Sequence, residues 1–501
     1  MDIMALLSPF RKLGVWLTIV GMACLAGALA IVAGGQDVGG QRANAPQRIN
    51  EARELAMKIT TPFTIATVGD IIEMRPIVQD PDPDFQEVIK IVRGADVAAA
   101  NMENSIVDLA NFAGSRKGGA GTKEVAEDIR SMGFRFINRA NNWMLVQEMD
   151  STNYYLDQAG IVHMGSGKDL QDARAVHYLE LPKGRIGMIG MVSTGHNPMP
   201  DKAATYARGN NPGTPGVDPI SLTRSLVVSQ DQFDALRKIR DSLYEHRADA
   251  SYPIDPLSDK EPADQLNLFG ALYKVGGEPG DFSYTMNPGD LRDILENIRS
   301  GKEYSDFMIA NIHSHDANSA LQYEADSDYP PEFLIELAHK CIDNGADIFF
   351  GHGVHVIRGV EIYKGKPIFY GLSDFVYQLN LTTSMVPREG IAAASQPGLT
   401  PTEMSNLGWA PFMKQANMQG ILATSHYEGG QLTEVRLYPL DLRPDDVISR
   451  KSTPHLANGE YARQILQLVQ ERSKPFGTKI DIQEGVGVIR VAPTPTTVGG
   501  R

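Results

Sequence analysis

Five short stretches of the chain end in residue types that hold metal ions. They are Gly69-Asp70, Asn101-Met102-Glu103-Asn104, Ala140-Asn141-Asn142, His313-Ser314-His315-Asp316 and Gly351-His352-Gly353-Val354-His355. One Asp, one Glu, one or two Asn and three or four His offer mixed oxygen and nitrogen ligation, which suits Zn, Mn or Fe. Two such ions about 3.5–4 Å apart can hold a phosphate and supply a hydroxide nucleophile. Each stretch alone has a plainer explanation. An Asp after a strand commonly caps a turn or helix, and a single His is more often a satisfied core residue. Five recurrences at the same structural position, the end of a strand, argue for one shared site.

Strands must therefore carry these residues to a common place. Phe63 to Val68, Asp96 to Asn101, Phe134 to Asn138, Arg185 to Val192, Phe307 to Ile312 and Asp347 to Phe350 are short β-like runs. Helical patterns alternate with them: Asp84 to Arg93 stopped by Gly94, Lys123 to Met132 stopped by Gly133, a helix opened by Pro288, and Pro331 to Asn344 closed by Gly345. This alternation predicts a layered α/β fold, in which the carboxyl ends of strands converge on one crevice. Met188 and Met191 interleave with Ile186 and Ile189 and are expected in the core. The pattern lapses between about residues 199 and 286, an insertion with a helix over Ser229 to Arg247. Gly165-Ser166-Gly167-Lys168 lacks the first Gly and the Ser/Thr of a phosphate loop, so it is a small-residue turn.

The chain has 501 residues, 42% of them hydrophobic and 22% charged, and a formal charge of −14. An ordinary globular balance excludes wholesale disorder, and the acidic excess excludes a nucleic-acid groove. Cys24 and Cys341 are the two cysteines, too few for a disulfide framework. Arg11 and Lys12 precede an uncharged apolar run from Leu13 to Ala33. As a helix that run would cross a hydrocarbon core of about 30 Å. It reads as a membrane anchor, or as a signal cleaved near Ala28-Leu29-Ala30, with everything after Gly34 exported under the positive-inside rule.

The residues that complete the picture are Thr67-Val68-Gly69-Asp70, Asn101-Met102-Glu103, Arg139-Ala140-Asn141-Asn142 and Ile312-His313-Ser314-His315. To these is added a long run through Asn344-Gly345-Ala346-Asp347, Gly351 to His355, Gly359 to Tyr363 and Phe369-Tyr370-Gly371-Leu372-Ser373-Asp374-Phe375. With these stretches the chain resembles the CapA family of bacterial capsule or poly-gamma-glutamate synthesis proteins, whose domain is similar to calcineurin-like metallophosphoesterases. The resemblance covers roughly residues 63 to 378. It implies a layered αββα-type metallophosphoesterase-like fold: 1–36 a signal peptide or anchor, 37–62 a linker, 63–380 the family domain, and 381–501 strands and a helix completing it.

Carried across by position, the resemblance makes Asp70, Glu103, Asn142, His313, His352 and His355 the metal-site residues. It implies a divalent metal (Mn, Zn or Fe), up to two ions. His313, His315 and His196 are the candidate catalytic imidazoles. Arg139, Asn141 and Arg358 are candidate contacts to an anionic substrate. Two positions depart from the pattern. Related phosphoesterases open with Asp-x-His where Asp70 is followed by Ile71-Ile72, and the family's Asn-Asn-His reads Asn141-Asn142-Trp143 here. An indole N–H donates a hydrogen bond but is no general acid near neutral pH. The expected function is an exported protein in synthesis or release of an anionic extracellular polymer, partnered by that polymer or its synthase complex and by the membrane. The alternatives are a non-catalytic polymer- or synthase-binding component, and a metal-dependent phosphoester hydrolase of unrelated substrate.

Overall fold

The computed structural model describes residues 54–108, 110–111, 120–144, 146–195, 202–243, 262–321, 327–378, 418–447 and 450–492. The apolar run Leu13 to Ala33, residues 37–53 of the linker, His196 and the loop at 381–415 lie outside the described residues. Among the described residues no helix is long and apolar enough to cross a membrane.

In chain order the elements that build the site begin with β1 (Phe63–Ile72), α1 (Pro83–Gly94), β2 (Val97–Met102), α2 (Val125–Met132), β3 (Phe136–Asn138), α3 (Val146–Gln158), β4 (Val162–Met164) and β5 (Gly184–Ser193). After β5 come β6 (Leu222–Val228), β7 (Phe282–Met286), α4 (Pro288–Glu303), β8 (Phe307–His313), α5 (Glu332–Asp343) and β9 (Ile348–His352). The chain continues with β10 (Val360–Tyr363), β11 (Lys366–Phe369), β12 (Asp374–Tyr377), β13 (Gln419–Glu428), β14 (Gln431–Asp441) and α6 (Gly459–Ser473).

Two large sheets result, so the α/β character expected from the alternation is present. The first runs β14-β13-β1-β2-β3-β4, with β12 also paired to β1 and two C-terminal strands beyond β14. The second runs β5-β8-β9-β11-β10. Strand period explains why they stack. Phe63 and Ile65 of β1, Val97 and Ala99 of β2, Ile186 and Met188 of β5, Phe307 and Ile309 of β8, and Ile348 and Phe350 of β9 all belong to one buried cluster. Their alternate neighbours face outward. Ala66, Val68, Ala98 and Ala100 pack with Phe85, Val88 and Val92 of α1 and Ile129 of α2. Ile189, Met191, Met308 and Ala310 pack with Ile294 and Ile298 of α4 and Leu337 and Cys341 of α5. The order is helices, sheet, sheet, helices, because a strand with apolar residues on both faces must be covered on both.

Local chemistry sets the helix ends. Asp82 caps α1, its side chain accepting from Asp84 N and Phe85 N ahead of Pro83, and Asn287 caps α4 in the same way before Pro288. The insertion is more regular than its turn-rich sequence suggests. It carries a four-stranded sheet in the order Gln265–Leu268, Ala271–Val275, β6, β7, and a helix over Gln230–Ser242 with a Ser229/Gln232 capping box. β13 and β14 pair with each other, and β13 pairs with β1, so the C-terminal segment extends the first sheet.

Candidate metal centre

Register brings the polar strand ends into rows. In the first sheet Asp70 lies beside Asn101 on one side and Asp374 on the other, and Asn101 lies beside Asn138. In the second sheet His313 lies beside His352. Glu103 follows β2, Asn142 follows β3, and His315 and His355 follow β8 and β9. The donors thus divide by sheet: every oxygen donor comes from the first and every imidazole from the second.

Close approach of the loops needs two glycines. A Cβ on Gly69 would lie 1.7 Å from Ser373 O, where Asp70 N now donates to that oxygen at 3.1 Å. Gly353 has φ 100°, and a Cβ there would meet His313 Cε1 at 2.9 Å. His355 and Ser373 adopt φ 56° and 60° without being glycine. Such backbone costs about 1–3 kcal/mol per residue and is held by its surroundings.

Asp70 is fully buried and reaches three imidazoles. Its Oδ1 lies 3.7 Å from His313 Nδ1 and 3.6 Å from His352 Nδ1, and its Oδ2 lies 3.9 Å from His355 Nδ1. Asn101 Nδ2 and Gly353 N each donate to it at 2.7 Å. Glu103 Oε1 lies 3.5 Å from His313 Nε2 and 3.6 Å from His315 Nε2, and Oε2 lies 3.9 Å from His355 Nε2. Ring nitrogens face one another as well: His313 Nε2 is 3.0 Å from His315 Nε2, and His313 Nδ1 is 3.1 Å from His352 Nδ1. Asn142 Oδ1 is 2.9 Å from His313 Nε2.

Two outer contacts assign tautomers. Asn311 Nδ2 is committed to Ile189 O at 2.8 Å, so its Oδ1 accepts from His352 Nε2 at 3.0 Å, leaving the Nδ1 lone pair toward Asp70. His355 Nδ1 donates to Asp374 Oδ1 at 2.9 Å, so Nε2, which faces Glu103, is the nitrogen that a cation would take in exchange for a proton. Carboxylate or amide partners of this kind orient imidazoles at metal sites. Burial pushes Glu103 up, but His313 and His355 outweigh it and hold the carboxyl well below its usual range. Burial drives His352 down to about 3, whereas for His355 the burial penalty is overcome by Asp374 and Glu103, which raise it.

The residues fit a pair of divalent cations. Asp70, His313 and His352 form one donor group, Glu103, His315 and His355 a second, and Asp70, His355 and Asp374 a third that shares Asp70. Within each group the donor atoms lie within 4.8 Å of one another. Ligands bonded tetrahedrally at about 2.0–2.1 Å stand roughly 3.3 Å apart. In the first two groups the observed separations of 3.1–3.9 Å bracket that edge. Both Glu103 oxygens are buried and accept no hydrogen bond among the described residues. An orphaned buried carboxylate is costly unless a cation meets it.

The structure therefore brings together Asp70, Glu103, Asn142, His313, His315, His352 and His355. It places the other expected residues behind them. Arg139 is 0% exposed, and its Nη1 donates to Met102 O at 2.8 Å and Asn104 O at 2.6 Å, the carbonyls on either side of Glu103. Asn141 Nδ2 donates to Met102 O at 2.8 Å and Asn101 Oδ1 at 3.2 Å. Arg358 is 1% exposed and donates to Asp316 O and Ser327 O, bracing the loop after His315. All three are wall residues that position ligand loops. Trp143 is half-buried and packs on the apolar layer behind the first sheet. Sequence reasoning passes over Asp374, although it stands in the Phe369 to Phe375 run, and over Asn101 and Asn311 as orienting amides.

Residues 64–379 match the family model described as bacterial capsule synthesis protein PGA_cap. The chain is 36% identical over 459 residues to the uncharacterized protein y4sH of Sinorhizobium fredii, covering 87% of this chain and 95% of that protein. It is 23% identical over 325 residues to the PGA biosynthesis protein CapA of Bacillus subtilis, covering 63% of each. An 84-residue stretch, 17% of this chain and 20% of the other, is 50% identical to a probable polyglutamine synthesis accessory protein of Mycobacterium tuberculosis.

Proposed function

This chain belongs to the PGA_cap family of bacterial capsule synthesis proteins, and from that premise we propose that it serves synthesis or release of an anionic extracellular polymer through a two-cation crevice of metallophosphoesterase type. The carrying observation is the pair of donor groups, Asp70-His313-His352 and Glu103-His315-His355, buried together with both Glu103 oxygens unmet. Two face-to-face sheets delivering ligands at strand ends support the fold side of this reading. Asp70 and Asp374 would serve both ions or orient the imidazoles between them. When bound, such ions polarise a phosphoryl or carbonyl oxygen and make water more acidic. The protein's own part is to hold His352 and His355 in fixed tautomers and to keep Asp70 and Glu103 dry.

The same reading places the bulk of the chain outside the cytoplasm, anchored by or cleaved from the run Leu13 to Ala33, beside the polymer synthase. One observation favours a non-catalytic version that binds polymer or synthase through the crevice: Trp143 supplies no transferable proton where the family pattern has a His. Metal content of the purified full chain tests the reading, with turnover of a generic phosphodiester and binding of poly-gamma-glutamate compared before and after chelation. Close to two ions per chain, lost in Asp70→Asn, are expected. Below about 0.2 ions per chain in every metal supplied, the two-cation crevice is refuted.

A further inference from the structure

Resting on that reading, we infer that Lys202, delivered by the insertion, is the cation that meets the oxyanion of the substrate at the open edge of the crevice. Asn142 marks that edge. It is half-buried, whereas Asp70, Glu103 and His313 are 0% exposed and His315, His352 and His355 are no more than 7%. Lys202 Nζ donates to the backbone carbonyl of Asn142 and is itself half-buried. Its charge therefore sits on the backbone of the residue whose side-chain oxygen contacts His313.

The insertion holds Lys202 there by its backbone. Val217 N donates to Lys202 O at 2.9 Å, and Ala204 N donates to Val217 O at 3.0 Å. Gly216 makes this strip possible, because a Cβ there would lie 2.1 Å from Lys202 O. Val217 is buried with Ala140, Met144, Met149 and Val192, the apolar cluster beneath the Asn141-Asn142 loop. Loop and insertion are thus pinned together by packing, by a backbone strip and by the ammonium.

Electrostatics gives this cation a task. The whole chain carries −14, although two divalent cations in the crevice would offset the carboxylates Asp70, Glu103 and Asp374 there. An anionic polymer is repelled at long range by such a surface, so recognition needs local positive charge. The arginines nearest in sequence to the ligands, Arg139 and Arg358, are 0% and 1% exposed and so cannot meet a substrate. Lys202, by contrast, is half-buried and sits on the backbone of Asn142, the most exposed of the expected ligands. A hydrogen bond to a charged group contributes about 1.5–3 kcal/mol, or roughly 10- to 150-fold in affinity. The oxyanion is a phosphoryl group or a polymer carboxylate.

Isothermal titration of the full chain tests this, with Mn²⁺ alone first and then inorganic phosphate or a glutamate oligomer on the Mn²⁺-loaded protein. Lys202→Met and Lys202→Ala should keep Mn²⁺ stoichiometry and affinity while losing at least tenfold in oxyanion affinity, and Lys202→Arg should stay within about threefold of wild type. The stronger of the two probes identifies the source of the oxyanion. Wild-type-like binding by Lys202→Met overturns the assignment. Joint loss of Mn²⁺ affinity, thermal stability and oxyanion binding also overturns it, because Lys202 would then be only a strut. If the loaded wild type binds neither probe, the crevice reading fails and this inference with it.

Discussion

Asp374→Asn is the substitution that most directly examines how the centre is built. Asp374 Oδ1 accepts from His355 Nδ1 at 2.9 Å, and its Oδ2 accepts no hydrogen bond among the described residues. Both residues are buried, so the carboxylate charge acts on the imidazole with little screening. His355 in turn aims Nε2 at Glu103 Oε2 across 3.9 Å. An Asn side chain has nearly the same shape and can still accept from Nδ1, but it is neutral and makes the ring a poorer donor to metal. Removing the partner of a metal-binding His costs about 10- to 100-fold in metal affinity, or roughly 1.4–2.7 kcal/mol. Competition with a chromophoric chelator, using Co²⁺ so that the visible spectrum reports coordination, measures both affinity and geometry. The expected outcome is a 10- to 100-fold weaker Kd with an unchanged spectrum and full stoichiometry. A Kd within twofold of wild type would refute the orienting role. A loss beyond about 1,000-fold with an altered spectrum would refute it from the other side, making Asp374 a ligand in its own right, as its grouping with Asp70 and His355 allows.

Three further outcomes follow from other parts of the molecule. Asp347→Asn strips the partner from Lys302, whose Nζ sits 2.6 Å from Asp347 Oδ2 in the interior, and should cost about 3–5 kcal/mol in urea unfolding without changing metal content. Burial pushes the Asp347 carboxyl up, but Lys302 and Lys366 outweigh it and hold it below 3.8. Its stabilisation is therefore complete above that value and lost as pH falls through the lower folded one; the acid slope below about pH 4 should be shallower in the variant. Trp143→His should lower stability in urea unfolding by about 1–3 kcal/mol, because the indole packs on the apolar layer behind the first sheet and the smaller ring leaves a cavity there; a midpoint equal to that of wild type would show that the indole contributes no packing. An enzymatic reporter that works only in the cytoplasm, fused after Arg501, should be silent; a bright cell would rule out export.

Most of the ligand set is readable in the sequence because parallel strands deliver their carboxyl ends to one crevice, so Gly-Asp, Asn-Met-Glu and two His-x-His-like pairs announce themselves by position. Asp374 does not. Its place comes from the pairing of β12 with β1, which sets it beside Asp70, and nothing local records that register. Arg139, Asn141 and Arg358 stand next to site motifs in sequence, yet adjacency carries no information about burial. A guanidinium turned inward toward Met102 and Asn104 carbonyls looks the same in one dimension as one turned outward. The insertion hides its sheet for another reason. Strands such as Gln265–Leu268 and Ala271–Val275 are short and half-polar, and they meet at Phe269-Gly270 with φ 54° and 77°, a hairpin turn whose first residue gives no turn signal. The α/β layering is legible in the alternation of strands and helices, whereas the αββα order is implied only by the family resemblance, because alternation does not say which strands share a sheet.

The division of donors between the sheets has a consequence for biogenesis. A chain emerging from its N-terminus makes Asp70 and Glu103 early, the four imidazoles much later, and Asp374 last. An unfinished chain holds hard oxygen donors with no nitrogen to join them, and those bind transition metals weakly. Capture must wait until the second sheet docks on the first. Ions bound there would act as rivets across the sandwich, and their binding energy would become part of the energy of closure. Intrinsic affinities favour the same few metals in every compartment, so occupancy follows supply at the moment of capture. A metal carried by the mature protein would thus be a record of where its two halves came together.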